Sequence, residues 1–170
     1  MQPTDLGLLV LRLVGGLTFA GHGAQKAFGW WNGPGVDRWR GAISRMGFRP
    51  VELFVALSIG AELVGGLLFA AGLFTPLAAM ILTGQLVVII SKAHLPKGFW
   101  STNGGYEYPL SLAAGVIAVT FIGAGSISLD HAFGLAFSDS VRAGFLLIGL
   151  LGGLVALGAS RIAQPATARA

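Results

Sequence analysis

The sequence predicts an all-α fold, a polytopic transmembrane helix bundle of five apolar segments, the fifth of them C-terminal. Three observations predict it. Of 170 residues, 54% are apolar and only 11% charged, with a mean hydropathy of +0.76, whereas a water-soluble domain carries about 25% charged residues. Five apolar runs are spaced along the chain, most of them long enough to cross a hydrocarbon core of about 30 Å. Glycine is abundant, 27 residues, which weakens water-exposed helices but lets membrane helices pack closely.

The first run covers 6–27. Its start does not resemble a cleaved signal peptide, because Asp5 stands where positive charge belongs and Arg12 interrupts the apolar stretch. It is read as a retained helix. Its nine Leu, Val and Phe residues favour insertion by roughly 3–5 kcal/mol, and one Arg removes about 3. The helix therefore needs a partner. The second run, 51–73, holds Glu52 at its entry and Glu62 at its centre. The third is 76–91, with Pro76 suited to a helix start. The tight turn Gly72-Leu73-Phe74-Thr75-Pro76 makes runs two and three antiparallel neighbours. The fourth and fifth are 106–123 and 141–159.

The connections differ in character. Segment 28–50 reads as a long aromatic loop with Arg38, Arg40, Arg45 and Arg49, and its Trp30, Trp31 and Trp39 suit the headgroup layer. Segment 92–105 carries Lys92, Lys97, Phe99 and Trp100. Segment 124–140 carries Asp130 and Asp139. The tail beyond Ser160 is polar and carries Arg161 and Arg169. With five spans, Lys26, these loop cations and the tail fall on one side, and Arg142 alone borders the other. The positive-inside rule then places the N-terminus outside and the C-terminus in the cytoplasm of a plasma (inner) membrane protein. A polar cytoplasmic tail is expected at 161–170.

Several function classes are excluded or disfavoured. No cysteine is present, so thiolate metal sites, iron–sulfur clusters and thiol relays within this chain are excluded. Three histidines and scattered carboxylates show no metal-ligand spacing. Haem on His22 and His94 is disfavoured, because two helices would have to aim both imidazoles at one iron. The net charge of +4 follows from topology rather than nucleic acid, since no basic stripe interleaves with aromatics. There is no nucleophile–base set, phosphate loop or dinucleotide fingerprint.

The candidate site is a charged constellation. A charge at bilayer depth costs about 2.5–3.5 kcal/mol on insertion scales, so it faces a partner, a cavity or a ligand. Arg12, Gly16, Phe19, Gly23 and Lys26 share one face of the first helix, with His22 and Gln25 beside it. Depth counting makes Arg12 the ion-pair partner of Glu62, with Gln85 in the same layer. A second polar layer gathers His22, Gln25, Lys26, His94, Tyr106, Glu107 and Tyr108. The ligand or ion-pair candidates are Arg12, His22, Lys26, Glu62, Gln85 and Glu107. The plainest role for such a pair is to fix helix register; the sharper one is to hold a quinone headgroup, a proton or a polar ligand.

Five motifs in order resemble the DoxX family of small bacterial membrane proteins. They are Gly21-His22-Gly23-Ala24-Gln25-Lys26, Gly60-Ala61-Glu62-Leu63-Val64-Gly65-Gly66, Gly72-Leu73-Phe74-Thr75-Pro76, Gly105-Tyr106-Glu107-Tyr108 and Gly123-Ala124-Gly125-Ser126-Ile127-Ser128-Leu129-Asp130. The resemblance covers about residues 6–132. It implies a four-helix membrane core and an association with redox processes, since members resemble the small membrane subunit of thiosulfate:quinone oxidoreductase. A mycobacterial member is linked with a superoxide dismutase and a thiosulfate sulfurtransferase. The expected role is an accessory or scaffold subunit, not catalytic alone, with a soluble redox partner on the cytoplasmic loops. Quinone is the one cofactor it suggests, and a homo-oligomer is compatible. A small proton-coupled transporter is the alternative. The apolar run 141–159 departs from the usual family length, so the resemblance implies a membrane core at 1–132 and an added transmembrane segment at 133–160.

Overall fold

The computed structural model describes the backbone of residues 2–162 and the side chains of residues 2–160. Of the tail expected at 161–170, the backbone of 161–162 continues the last helix, and residues 163–170 and the side chain of Arg161 lie outside the described residues. Seven helices follow one another, and among the described residues there is no strand. They are α1 (Pro3–Phe28), α2 (Gly35–Arg45), α3 (Val51–Ala71), α4 (Thr75–Ile89), α5 (Glu107–Ile122), α6 (Leu129–Ala132) and α7 (Asp139–Ile162). Each of the five apolar runs is a helix. Four segments are long and apolar enough to cross a membrane: Pro3–Phe28, Val51–Ala71, Thr75–Lys97 and Asp139–Ser160. Helix α5, with 16 residues, spans only about 24 Å.

Local chemistry sets the ends. Pro3 opens α1, where a missing N–H costs nothing. The Asp5 carboxylate accepts from Gln2 N at 3.0 Å and from Ser126 N at 2.8 Å, tying this end to the α5–α6 link. Helix α3 ends at Gly72, whose φ of +62° closes the turn into α4. As the tight Gly72–Pro76 sequence demands, α3 and α4 are packed against each other.

Glycine sets the bundle's two closest crossings. Helix α1 packs most extensively on α3, and α7 on α4. Gly16 lies against the Gly66 carbonyl and the Ala70 backbone, and Gly23 against the Leu63 backbone. At the second crossing Gly153 meets Gly84 and Val87, and Gly149 meets Met80. A Cβ at Gly16 would fall 2.5 Å from Gly66 O and 2.6 Å from Ala70 N. Both are rigid backbone atoms, so the helices would have to part. Gly16→Val is therefore expected to cost about 3 kcal/mol or more, read as loss of the monodisperse species in detergent, whereas Gly21→Val, with open space around it, should be tolerated.

The core is formed by Leu8, Phe19, Phe69, Ala78, Ala79, Leu82, Leu86, Val116 and Val119. Large apolar side chains such as Val14, Val64, Leu67, Phe121 and Val155 face outward instead, the pattern expected where lipid is the solvent.

One segment differs from expectation. The 28–50 connection is not a loop throughout, because 35–45 forms α2. Val36, Trp39, Ile43 and Met46 recur at helical spacing and pack with Phe48, Phe54 and Val55 over the first turns of α3. Trp39 accordingly turns inward, half-buried, while Trp30 and Trp31 stay exposed.

Candidate functional site

Four helices converge on Glu62, which is 1% exposed. Lys26 of α1, with its side chain 12% exposed, forms the ion pair with Glu62 Oε1. Gln85 of α4 donates Nε2–H to the same oxygen at 3.1 Å. Trp39 of α2 lies beneath the ammonium, with Lys26 Nζ 4.2 Å from the ring centroid, so the cation has an aromatic face as well as a carboxylate. Trp39 Nε1 donates to Ser58 Oγ at 2.7 Å, and Ser58 donates to Val55 O at 3.0 Å. Glu62 Oε2 has no hydrogen-bond partner among the described residues.

The expected Arg12–Glu62 pair is overturned. The α1–α3 register puts Gly23 against Leu63 and Gly16 against Gly66 and Ala70, so Arg12 stands level with the end of α3. Side-chain direction completes the separation. Helical side chains lean toward their own N-terminus. Because α1 and α3 are antiparallel, Lys26 and Glu62 lean toward one another, while Arg12 and Glu62 lean apart.

Arg12, fully buried, instead braces the opposite end. Its guanidinium donates to Ala70 O at 3.4 Å and to Ile127 O, and the charge of Asp130 acts on it. Asp130, 4% exposed, accepts from Phe74 N at 2.6 Å, Thr75 N at 3.0 Å and Thr75 Oγ1 at 2.5 Å. It thereby caps α4 from 55 residues away. A side chain on Gly72 would collide with the Arg12 guanidinium, so that turn must be glycine for two reasons.

The other candidates have separate partners. His22 Nδ1 is 3.2 Å from Gln25 Oε1, and its Nε2 is 3.5 Å from Tyr108 OH. Glu107 accepts from Ser101 N at 2.9 Å in the first turn of α5. His94 Nδ1 faces the carbonyls of Gly104 and Gly105 at 2.7 and 3.1 Å, which makes Nδ1 the protonated nitrogen. The second polar layer is thus divided: Lys26 joins Glu62 and Gln85, and the rest organise the 92–108 connection and its contact with α1. Among the described residues no three His, Cys, Asp or Glu side chains gather to hold a metal ion.

Beside the ion pair lies an apolar cavity of about 320 Å³ between α2, α3, α4 and α7. Its walls include Ile43, Phe48, Leu57, Ala61, Val88 and Ile148, and its polar residues include Ser58, Gln85 and Trp39. The volume is at the small end of ligand pockets and suits one ring system rather than a long chain. Gln85 links the two features, since it lines the cavity and bonds Glu62. Trp39 and Ser58 were legible only as an aromatic in a loop and a small residue on the Glu62 face; the apolar spacing of α2 was the signal that could have joined them.

The chain matches the DoxX family model over residues 7–95, just over half its length. It is 28% identical over 132 residues to an uncharacterized protein of Haemophilus influenzae, which covers 75% of this chain and 83% of that relative. No solved structure matches.

Proposed function

The chain belongs to the DoxX family of integral membrane proteins, and from that premise we propose that it is the ligand-holding accessory subunit of a membrane redox complex. The ligand class is a quinone-like ring, taken from the bilayer into the cavity between α3, α4 and α7. The carrying observation is that this otherwise apolar cavity ends on Gln85, which is bonded to Glu62, on Trp39, which lies under Lys26, and on Ser58, which is bonded to Trp39. A ring carbonyl needs a donor in an apolar wall, and the second Nε2–H of Gln85 supplies one, since the single N–H of Trp39 is already given to Ser58. The pair behind Gln85 fixes its amide, because Nε2 is held by Glu62.

In this reading the N-terminus faces outward and the Lys26 end faces the cytoplasm, where Arg38, Arg45, Arg49, Lys92 and Lys97 concentrate. A soluble oxidoreductase would dock on that end, and α7 adds a wall of the cavity to a four-helix core. Affinity purification from the native host in mild detergent should recover such a partner; recovery of a monodisperse protein alone would oppose the subunit role.

Saturable binding of a short-chain quinone to the reconstituted protein tests the ligand role. Ile148→Trp on α7, a cavity-wall position that is 57% exposed, is expected to block the cavity and weaken binding at least about tenfold. Gln85→Leu is expected to weaken it by roughly fivefold to tenfold, the value of one hydrogen bond. Binding unchanged in both variants would remove the proposal.

A proton-coupled carrier is the second reading. The unpartnered Glu62 Oε2 at 1% exposure favours it, because intramembrane carboxylates mark ion and substrate pathways. Substrate flux into proteoliposomes, abolished in Glu62→Gln, would support it; absence of flux would dismiss it.

A further inference from the structure

The Lys26 end carries a second feature that the ion-pair cluster does not use. Between α1 and α2 the chain turns through Trp30–Asn32, with Trp31 at φ +51° and Asn32 at φ +61°. A bulky side chain in the left-handed region is strained and persists only where its surroundings hold it. Arg38 does so, donating Nη2–H to Gly33 O at 2.7 Å and Nε–H to Pro34 O at 2.9 Å. The conformation leaves two indoles uncovered. Trp30 and Trp31 are 55% and 69% exposed, their ring centroids are 5.6 Å apart, and Phe28 lies 5.1 Å from Trp30.

Height identifies the medium around them. Helix α1 has 26 residues, about 39 Å, against a hydrocarbon core of about 30 Å. Its last residue, Phe28, therefore stands at the headgroup layer, the level that tryptophan favours. Helix α2 follows at once and packs its apolar side on α3. Arg38 and Arg45 lie seven residues apart on one exposed face of α2, and exposed Arg49 follows it. Among the described residues none of the three has a carboxylate within 4 Å, whereas Arg40 is committed to Asp37 at 2.6 Å and Glu52 at 2.7 Å. Guanidinium groups without counter-charges at headgroup height, beside indoles, complement a phosphate diester carrying net negative charge.

We propose that Arg38, Arg45 and Arg49, with the Trp30–Trp31 turn, form a binding surface for anionic phospholipid headgroups. An acidic protein could meet the arginines, but it would leave unexplained why the strained turn displays indoles at membrane level.

Native mass spectrometry of the full chain, released from micelles containing equal phosphatidylglycerol and phosphatidylcholine of matched acyl chains, tests this. The wild-type protein should retain phosphatidylglycerol preferentially. Arg45→Gln with Arg49→Gln should reduce that preference by about fivefold per charge removed, and Arg45→Lys with Arg49→Lys should keep most of it. Equal retention of the two lipids by the wild type would overturn the proposal, as would undiminished preference in the Gln variant. Capture of acidic proteins without any lipid preference would also overturn it. If the Gln variant does not fold, the wild-type ratio and the Lys variant still decide.

Discussion

Lys26→Met is expected to destabilise the bundle by about 3–5 kcal/mol, because it strands a buried carboxylate. Glu62 would keep only the Gln85 Nε2–H on Oε1, with Oε2 still unpartnered. Glu62→Gln should be damaging as well, since the Lys26 ammonium would face a neutral amide and Trp39 alone. Combining Lys26→Met with Glu62→Gln should recover much of the loss, because a buried pair is costly to break and much less costly to replace. Denaturant unfolding in mixed micelles gives the coupling energy of this cycle. The same cycle built on Arg12 and Glu62 should be additive within about 0.5 kcal/mol, since the two side chains lean apart. Strong coupling there, with none between Lys26 and Glu62, would reverse the assignment.

Asp130→Ala is also expected to be strongly destabilising, with a loss of about 3 kcal/mol. One charged acceptor serves three donors, Phe74 N, Thr75 N and Thr75 Oγ1, and such bonds contribute about 1.5–3 kcal/mol before relaxation. The carboxylate also sits at the N-terminus of α4, where negative charge is favoured. Phe74, at φ +46°, depends on it, because the Asp130 bond is what holds that backbone N–H. Asp130→Asn keeps the shape and an acceptor but loses the charge, and should cost roughly half as much. Amide hydrogen exchange at 74–79 locates the effect: faster exchange is expected there, with the Lys26 end unchanged.

The spanning helices were legible because hydropathy and length are properties of a segment in isolation. So were Lys26, Glu62 and Gln85 as polar residues in or at the ends of apolar runs, which the structure brings together. Pairing was not legible from depth alone, because it depends on which way each side chain leans once α1 and α3 run antiparallel. Arg12 and Lys26 are both cations on one face of α1, and only that lean separates a strut for the α3–α4 turn from a partner for Glu62. Helix α2 was missed for a different reason. Eleven residues with Arg38, Arg40, Gly41 and Arg45 among them read as polar loop, although Val36, Trp39 and Ile43 repeat at helical spacing. Asp130 was hidden by distance along the chain: nothing near it in sequence announces that its acceptors serve Phe74 and Thr75.

The cavity beside the Lys26–Glu62–Gln85 cluster is the central claim, and covalent mapping reaches it most directly. An azido-quinone should be photolysed with the reconstituted protein, with and without excess unlabelled quinone, and the labelled peptides sequenced. Label concentrated in 57–61 and 84–88, and removed by competitor, is the expected result, because Ser58, Ala61 and Gln85 line that cavity. Label spread over outward-facing positions such as Val14, Leu67 and Val155, and indifferent to competitor, would contradict it.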